Sequence, residues 1–211
     1  MKEQIKNIIF DFDGVLMNSI SLNKEIILEF VPEFSDEDFK ALFIGNVYEN
    51  PLVQQVTKEF GSEFQKIFFE RTTKEHFYEF AEELISILSE KYNLFINTSA
   101  PASSVKKYLS YIEKQDNFKG ILGCEDSFSK VEKFNMILDN FNCKKEECLF
   151  VTDSLGDIFE ANKVGIDSIG VTWGVHDIST LNRGNPFAIV NDFQELVYNI
   201  NNKENFKQKE K

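Results

Sequence analysis

Six short apolar segments, each followed by turn residues, constrain this chain more than any other feature: NIIF (7–10), LFIN (94–97), GILG (120–123), CLFV (148–151), SIGV (168–171) and AIV (188–190). Apolar side chains at consecutive strand positions point to both faces. Each segment therefore predicts a strand buried on both sides, as in a parallel sheet layered between helices. Helical periodicity fills the later gaps, at 102–114, 131–141, 157–164 and 192–200. From residue 92 onward the chain alternates β and α. This predicts a doubly wound, Rossmann-like α/β core with its ligand site at the carboxyl ends of the strands.

Residues 17–91 break the alternation. They hold no convincing strand but several amphipathic helical stretches: SISLNKEIILEF, SDEDFKALF with Ser35 and Asp38 placed for a capping box, NPLVQQVTKEF, and a long segment over 62–89. The division is a core of 1–16 and 92–200, a helical insert of 17–91 after the first strand, and a polar tail of 201–211 expected to fray. Phe and Leu at spacings of three and four in the insert read as its core, and Arg71 and His76 as members of a solvated helix face.

At 211 residues, 42% hydrophobic and 27% charged, the chain has the composition of an ordinary globular protein. Its net charge of −12, with Lys interspersed among Glu, argues against a nucleic-acid partner. The N-terminal stretch lacks the apolar run of a signal peptide, and no segment approaches the ~18 apolar residues of a membrane span. Cys124, Cys143 and Cys148 have neither disulfide nor zinc spacing. Reduced thiols in a cytoplasmic protein are the expectation.

The ends of the strands carry the chemistry. Asp11 and Asp13 follow the first strand, Thr98 and Ser99 the second, and Asp153 and Asp157 the fourth, while Lys130 precedes the helix after the third. The parallel sheet brings all of them to one rim, where polar groups buried without partners would be costly. Carboxylates crowded there repel one another, and a hard divalent cation with oxygen ligands, Mg²⁺, is the usual remedy. Mg²⁺, a hydroxyl and a lysine around a carboxylate form a phosphate cradle. An Asp in such a cradle can attack phosphorus while another moves protons.

DFDGVL, then NTS, then Lys130, then TDSLGD resembles, in order and spacing, the four-motif pattern of the haloacid dehalogenase-like hydrolase superfamily. The insert directly after the first motif, and GVTWGVHDISTL (170–181), are similar to its phosphoglycolate phosphatase and β-phosphoglucomutase branch. The resemblance implies a small helical cap domain over the core and an aspartyl-phosphate mechanism with Mg²⁺ as cofactor. Asp11 is then the nucleophile and a metal ligand. Asp13 is the general acid and base, with its main-chain carbonyl on the metal. Thr98 and the Ser99 N–H hold phosphoryl oxygens, and Lys130 neutralises their charge. Asp153 binds the metal with Asp157 in support. Gly14 lets the chain turn away into the cap, and the Gly45–Asn46 turn between cap helices faces the substrate.

The chain departs from the common pattern at Val15, Asn18 and Thr152, and it lacks a proline after Lys130, so Lys133, one helical turn on, is the alternative site lysine. None of these changes removes a reacting group. The expected activity is a Mg²⁺-dependent phosphatase acting on a small phosphorylated metabolite. A sugar-phosphate phosphomutase using the same residues is the alternative. Dehalogenation does not need Asp13 as an acid. A receiver-like signalling domain would lack the 17–91 insert, and a silent binding protein would be expected to lose a reacting group.

Overall fold

The computed structural model describes residues 4–206. Six parallel strands form one sheet: β1 (Asn7–Phe10), β2 (Asn93–Asn97), β3 (Phe118–Leu122), β4 (Cys148–Thr152), β5 (Asp167–Val171) and β6 (Ala188–Val190), in the order β3-β2-β1-β4-β5-β6. β1 lies between β2 and β4, pairing Phe10 with Ile96 on one side and with Val151 on the other. The strand order turns back at this point, so the chain segments leaving β1, β2 and β4 diverge and open a crevice at their carboxyl ends.

The doubly apolar strands do what their pattern requires. Ile8 and Phe10 of β1 enter one buried cluster, with Leu94 and Ile96 of β2 and Leu149 and Val151 of β4. Ile9, Phe95 and Phe150, one residue out of step, enter the other. The first layer is closed by α4 (Ala81–Ser89), α5 (Ala102–Ser110) and α9 (Phe193–Phe206), the second by α6 (Lys130–Asn140) and α7 (Leu155–Val164). Both layers exclude Ile9 and its neighbours from water, so truncating Ile9 to Ala would cost about 2–5 kcal/mol.

The segment between β1 and α4 holds α1 (Ile20–Phe30), α2 (Asp36–Ala41) and α3 (Pro51–Arg71). Ser35 caps α2 in the anticipated capping box with Asp38, and Asn50 caps α3, which begins on Pro51. Arg71 pairs with Glu25 and Glu29 of α1 on the surface, while His76 is half-buried in the turn after α3, where its Nδ1 accepts from Thr73 N–H. The chain leaves the core at Met17 and returns at Phe77. These residues form an antiparallel bridge flanked by Asn18 N–H to the His76 carbonyl (2.6 Å) and Tyr78 N–H to the Leu16 carbonyl (3.2 Å). The segment read as one helical stretch over 62–89 is in fact two helices. The second, α4, lies in the core layer beside β2 through Leu84, Ile85 and Leu88.

Two further boundaries differ from the sequence reading. α5 stops at Ser110, because Glu113 takes a left-handed conformation (φ 54°) and Lys114 N–H closes back on the Leu109 carbonyl, an αL helix stop. α9 continues to Phe206, so 201–206 extends a helix, while 207–211 of the expected tail lies outside the described residues. A short helix, α8 (Ile178–Asn182), capped by Asp177, follows β5 and was not anticipated. No helix among the described residues is long and apolar enough to cross a membrane.

Candidate active site

Because every strand runs the same way, Asp11 and Asp13 after β1, Thr98 and Ser99 after β2, and Asp153 after β4 emerge at one rim. Lys130 and Asp157 reach it from the first turns of α6 and α7. All seven line a single cavity of about 590 Å³ between the sheet and the inserted helices. Ser129 caps α6 by accepting from Glu132 N–H, and Ser154 caps α7 by accepting from Asp157 N–H. These caps hold the two helix starts, and with them Lys130 and Asp157, against the strand ends.

Lys130 is the centre of the charge arrangement. Its Nζ lies 2.9 Å from Asp11 Oδ1 and 2.6 Å from Asp157 Oδ2, with the three side chains nearly excluded from water. The Lys130 main chain is fixed by Asn97 Nδ2, which donates to its carbonyl, and by Glu160, which accepts from its N–H. Lys133 points elsewhere, donating from Nζ to the Thr98 carbonyl. Of the two lysines, the structure brings Lys130 to Asp11.

The protonation tendencies follow from burial and from Lys130. Burial pulls the Lys130 ammonium down, but the Asp11 and Asp157 charges outweigh it and hold it above its ordinary range. Burial likewise pushes Asp157 up, yet Lys130 and hydrogen bonds from Lys130, Asp11 and Thr152 keep it below the ordinary 3.8. Asp11 is raised well above that value by burial and by the Asp157 and Asp153 charges, despite Lys130. Asp153 is pushed up to about 7, by burial and by Asp157, against the hydrogen bond it accepts from Val175 N–H (2.7 Å). Burial raises Asp13 as well, against the nearby Ser19 hydroxyl and the Lys130 charge, and among the described residues its buried Oδ1 has no hydrogen-bond partner. Lys133 is held down to about 8 by burial and by the Lys130 charge.

These groups fit a divalent cation. At the rim three carboxylates, Asp11, Asp153 and Asp157, face one ammonium, and this imbalance adds to the burial that raises Asp11 and Asp153. The loops close tightly on Asp153: a Cβ at Gly14 (φ 76°) or at Gly174 would overlap its carboxylate. Among the described residues no group of three His, Cys, Asp or Glu side chains is arranged to hold an ion. Asp157, in particular, is turned to Lys130 and Thr152. Mg²⁺ needs no such cage, since it ordinarily takes one or two carboxylates and fills its octahedron with water and phosphate oxygens.

Thr98 and Ser99 do not cap α5. Its first N–H groups, at Ala102 and Ser103, donate to Glu125 from the loop after β3. Thr98 Oγ1 accepts from Ala100 N–H, and its hydroxyl remains in the cavity wall. Gly45 also lines the cavity, but Asn46 does not. The Asn46 side chain accepts from Tyr48 N–H and donates to the Phe128 carbonyl at 3.1 Å, tying the insert to the core.

Several residues to which the sequence assigns no individual role join that junction. The Tyr48 hydroxyl donates to the Ser99 carbonyl at 2.5 Å. Gly156 N–H donates to the Phe43 carbonyl, and a Cβ at Gly156 would strike the Gly45 carbonyl. Buried His176 accepts from Leu155 N–H at Nδ1, which places its proton on Nε2, 3.0 Å from the Lys40 carbonyl of α2. Val175 beside it packs among Phe34, Phe39 and Leu42 of the insert.

A carboxylate pair after the first strand of a doubly wound sheet, a buried lysine bridging it to a further carboxylate, and a cavity closed by an inserted helical segment define a hydrolase of the α/β class built to handle an anionic group. The chain belongs to the haloacid dehalogenase-like hydrolase family, whose pattern matches residues 8–171. It is 27% identical to a phosphoglycolate phosphatase of Photorhabdus laumondii, over 93% of this chain and 92% of that one. It is 25% identical to one of Haemophilus influenzae, over 93% and 99%. A haloacid dehalogenase-like hydrolase from Streptococcus pneumoniae shares its fold, with a TM-score of 0.77 at 20% identity over 92% of this chain and 97% of the other.

Proposed function

We propose that this chain is a Mg²⁺-dependent phosphatase that releases inorganic phosphate from a phosphorylated metabolite by way of an aspartyl phosphate at Asp11. One observation carries the reading: Asp11 lines the cavity with Lys130 at 2.9 Å, and Asp13, two residues on, holds a buried oxygen with no hydrogen-bond partner among the described residues. A nucleophile needs its negative charge held but not quenched, and a general acid needs an open position beside the leaving oxygen.

In this reading an Asp11 carboxylate oxygen attacks phosphorus while Lys130 neutralises charge spreading onto the phosphoryl oxygens, which the Thr98 hydroxyl and the Ser99 N–H hold. Burial favours the protonated form of Asp13, which gives its proton to the departing alkoxide. As a carboxylate it then takes a proton from the water that attacks the acyl phosphate, regenerating Asp11. Asp11, Asp153 and the Asp13 carbonyl are the residues that would hold Mg²⁺, with Asp157 locked onto Lys130 in support. The ion supplies positive charge against the phosphoryl oxygens. The cap in this proposal is the segment between the paired crossings at Met17 and Phe77, with its hinge there and α4 left in the core. The free thiols Cys124, Cys143 and Cys148 suit a cytoplasmic setting.

Phosphate release from a panel of phosphomonoesters, with Asp13→Asn beside the unaltered protein, tests the roles. The variant should lose roughly 10²–10⁴-fold with alkyl phosphates and much less with an activated aryl phosphate, whose leaving group needs no proton. An equal loss with both substrate types would overturn the assignment of Asp13, and absence of phosphate release from every ester would overturn the phosphatase reading.

A further inference from the structure

The cavity changes character with height. Its floor holds Asp11, Asp13, Asp153 and Lys130, while its walls and roof come from the insert: Ile27 of α1, Phe34 after it, and Leu52, Val56, Phe64 and Phe68 of α3. Among the described residues the cations lining it are Lys130 and Lys66. Lys130 is committed to two buried ion pairs, and Lys66, beside Glu70, has 72% of its side chain in solvent. Arg71, the arginine of the insert, is spent on Glu25 and Glu29 outside the cavity. The neutral polar groups in the wall include Asn23, Thr57, Gln65 and Ser104.

A second acid group on a substrate would meet apolar side chains above and carboxylates below. Burying it there without a cation carries the full desolvation cost of an unpaired charge. A carbon skeleton would instead gain from each methylene removed from water. At about 590 Å³ the cavity has the size of sites that enclose ligands well beyond a two-carbon acid. We propose that the substrate is the phosphate monoester of an uncharged, largely apolar alcohol, enclosed by the α1 and α3 faces of the insert, and that phosphorylated carboxylic acids such as phosphoglycolate are selected against. This deepens the phosphatase reading and rests on it for the position of the phosphoryl group at Asp11.

Calorimetric binding of non-hydrolysable phosphonates to the full protein with Mg²⁺ separates the two. Affinity should rise about fourfold per added methylene, so by about two orders of magnitude from ethyl- to hexylphosphonate. 3-Phosphonopropionate, which carries the second acid group, should bind at least tenfold more weakly than butylphosphonate of similar size. Val56→Arg, which puts a cation into the wall, should weaken hexylphosphonate at least tenfold and strengthen 3-phosphonopropionate. Tighter binding of 3-phosphonopropionate by the unaltered protein, or affinity independent of chain length, would overturn the proposal. If the phosphonates bind in the proposed order while hexyl phosphate releases no phosphate, the apolar cavity stands and the phosphatase reading falls. If phosphoglycolate is hydrolysed and 3-phosphonopropionate binds best, the reverse holds.

Discussion

Replacing Lys130 with Met keeps the length and apolar stem of the side chain and removes a charge that holds Asp11 and Asp157 together. Both carboxylates stay where they are, with only 12% of each side chain exposed and the lysine itself 4%. Removing one partner of a buried ion pair costs about 3–5 kcal/mol because the other is left charged and dry. In a chain of this length that is a fall in Tm of roughly 6–20 °C. The loss should depend on pH with a definite sign. In the intact protein Asp157 is held below 3.8, so its contribution is present above that value and disappears only as pH falls through the folded-state value. Lys130 is held above 10.5, so its contribution is complete below 10.5 and is lost as pH rises through the folded-state value. Across the range between, the pair is intact. Without the lysine, burial raises Asp157, and a proton can replace the missing cation at low pH but not at high pH. Denaturant melts of Lys130→Met against the unaltered protein, at about pH 5 and about pH 8, should show the smaller loss at the lower pH. A loss under about 1 kcal/mol, as for an exposed pair, or one equal at both pH values, would refute the reasoning.

Two other outcomes follow from the site and the junction of the insert with the core. Ionising Asp153, which burial pushes up to about 7, costs the metal-free protein stability as pH rises from its unfolded value near 3.8 through 7, and a bound cation offsets that cost. The Tm gain on adding Mg²⁺ should therefore be larger at about pH 8 than at about pH 5, and a gain that shrinks with pH would contradict it. Gly156→Ala places a methyl against the Gly45 carbonyl. It should push the insert away from α7, raise KM, and open 18–76 to limited proteolysis while the core stays folded, whereas an unchanged digestion pattern would show that this contact does not hold the insert down.

How far the sequence reveals this site depends on the range of each interaction. The sheet was legible because doubly apolar strands leave few other arrangements, and a parallel sheet then carries Asp11, Asp13, Thr98 and Asp153 to one edge. Lys130 and Lys133 differ by one helical turn, so only the placement of α6 against β2 could send one to Asp11 and the other to the Thr98 carbonyl. The extent of the insert was hidden for a different reason. An amphipathic helix has the same pattern whether it faces a cap or a core, so α4 was indistinguishable from α3, and the Met17–Phe77 pairing is made by backbone groups that every residue carries. Glu125 capping α5, and His176 joining Leu155 to Lys40, act across 22 and 136 residues of chain and leave no local signal. Asn46 sat in the anticipated turn, but the preference of Asn for its own backbone two residues on drew its side chain to Tyr48 N–H and away from the cavity.

The central claim is that Asp11 carries the phosphoryl group. Rapid acid quench during turnover of an alkyl phosphate, followed by peptide mass spectrometry, reads it directly. The phosphoryl mass should appear on Asp11 within the peptide containing IIFDFDGVL, should be absent in Asp11→Asn, and should accumulate in Asp13→Asn with an activated aryl phosphate, where water attack lacks its base. A phosphoryl group on Asp13 or on any other residue, or full turnover by Asp11→Asn, would contradict the account.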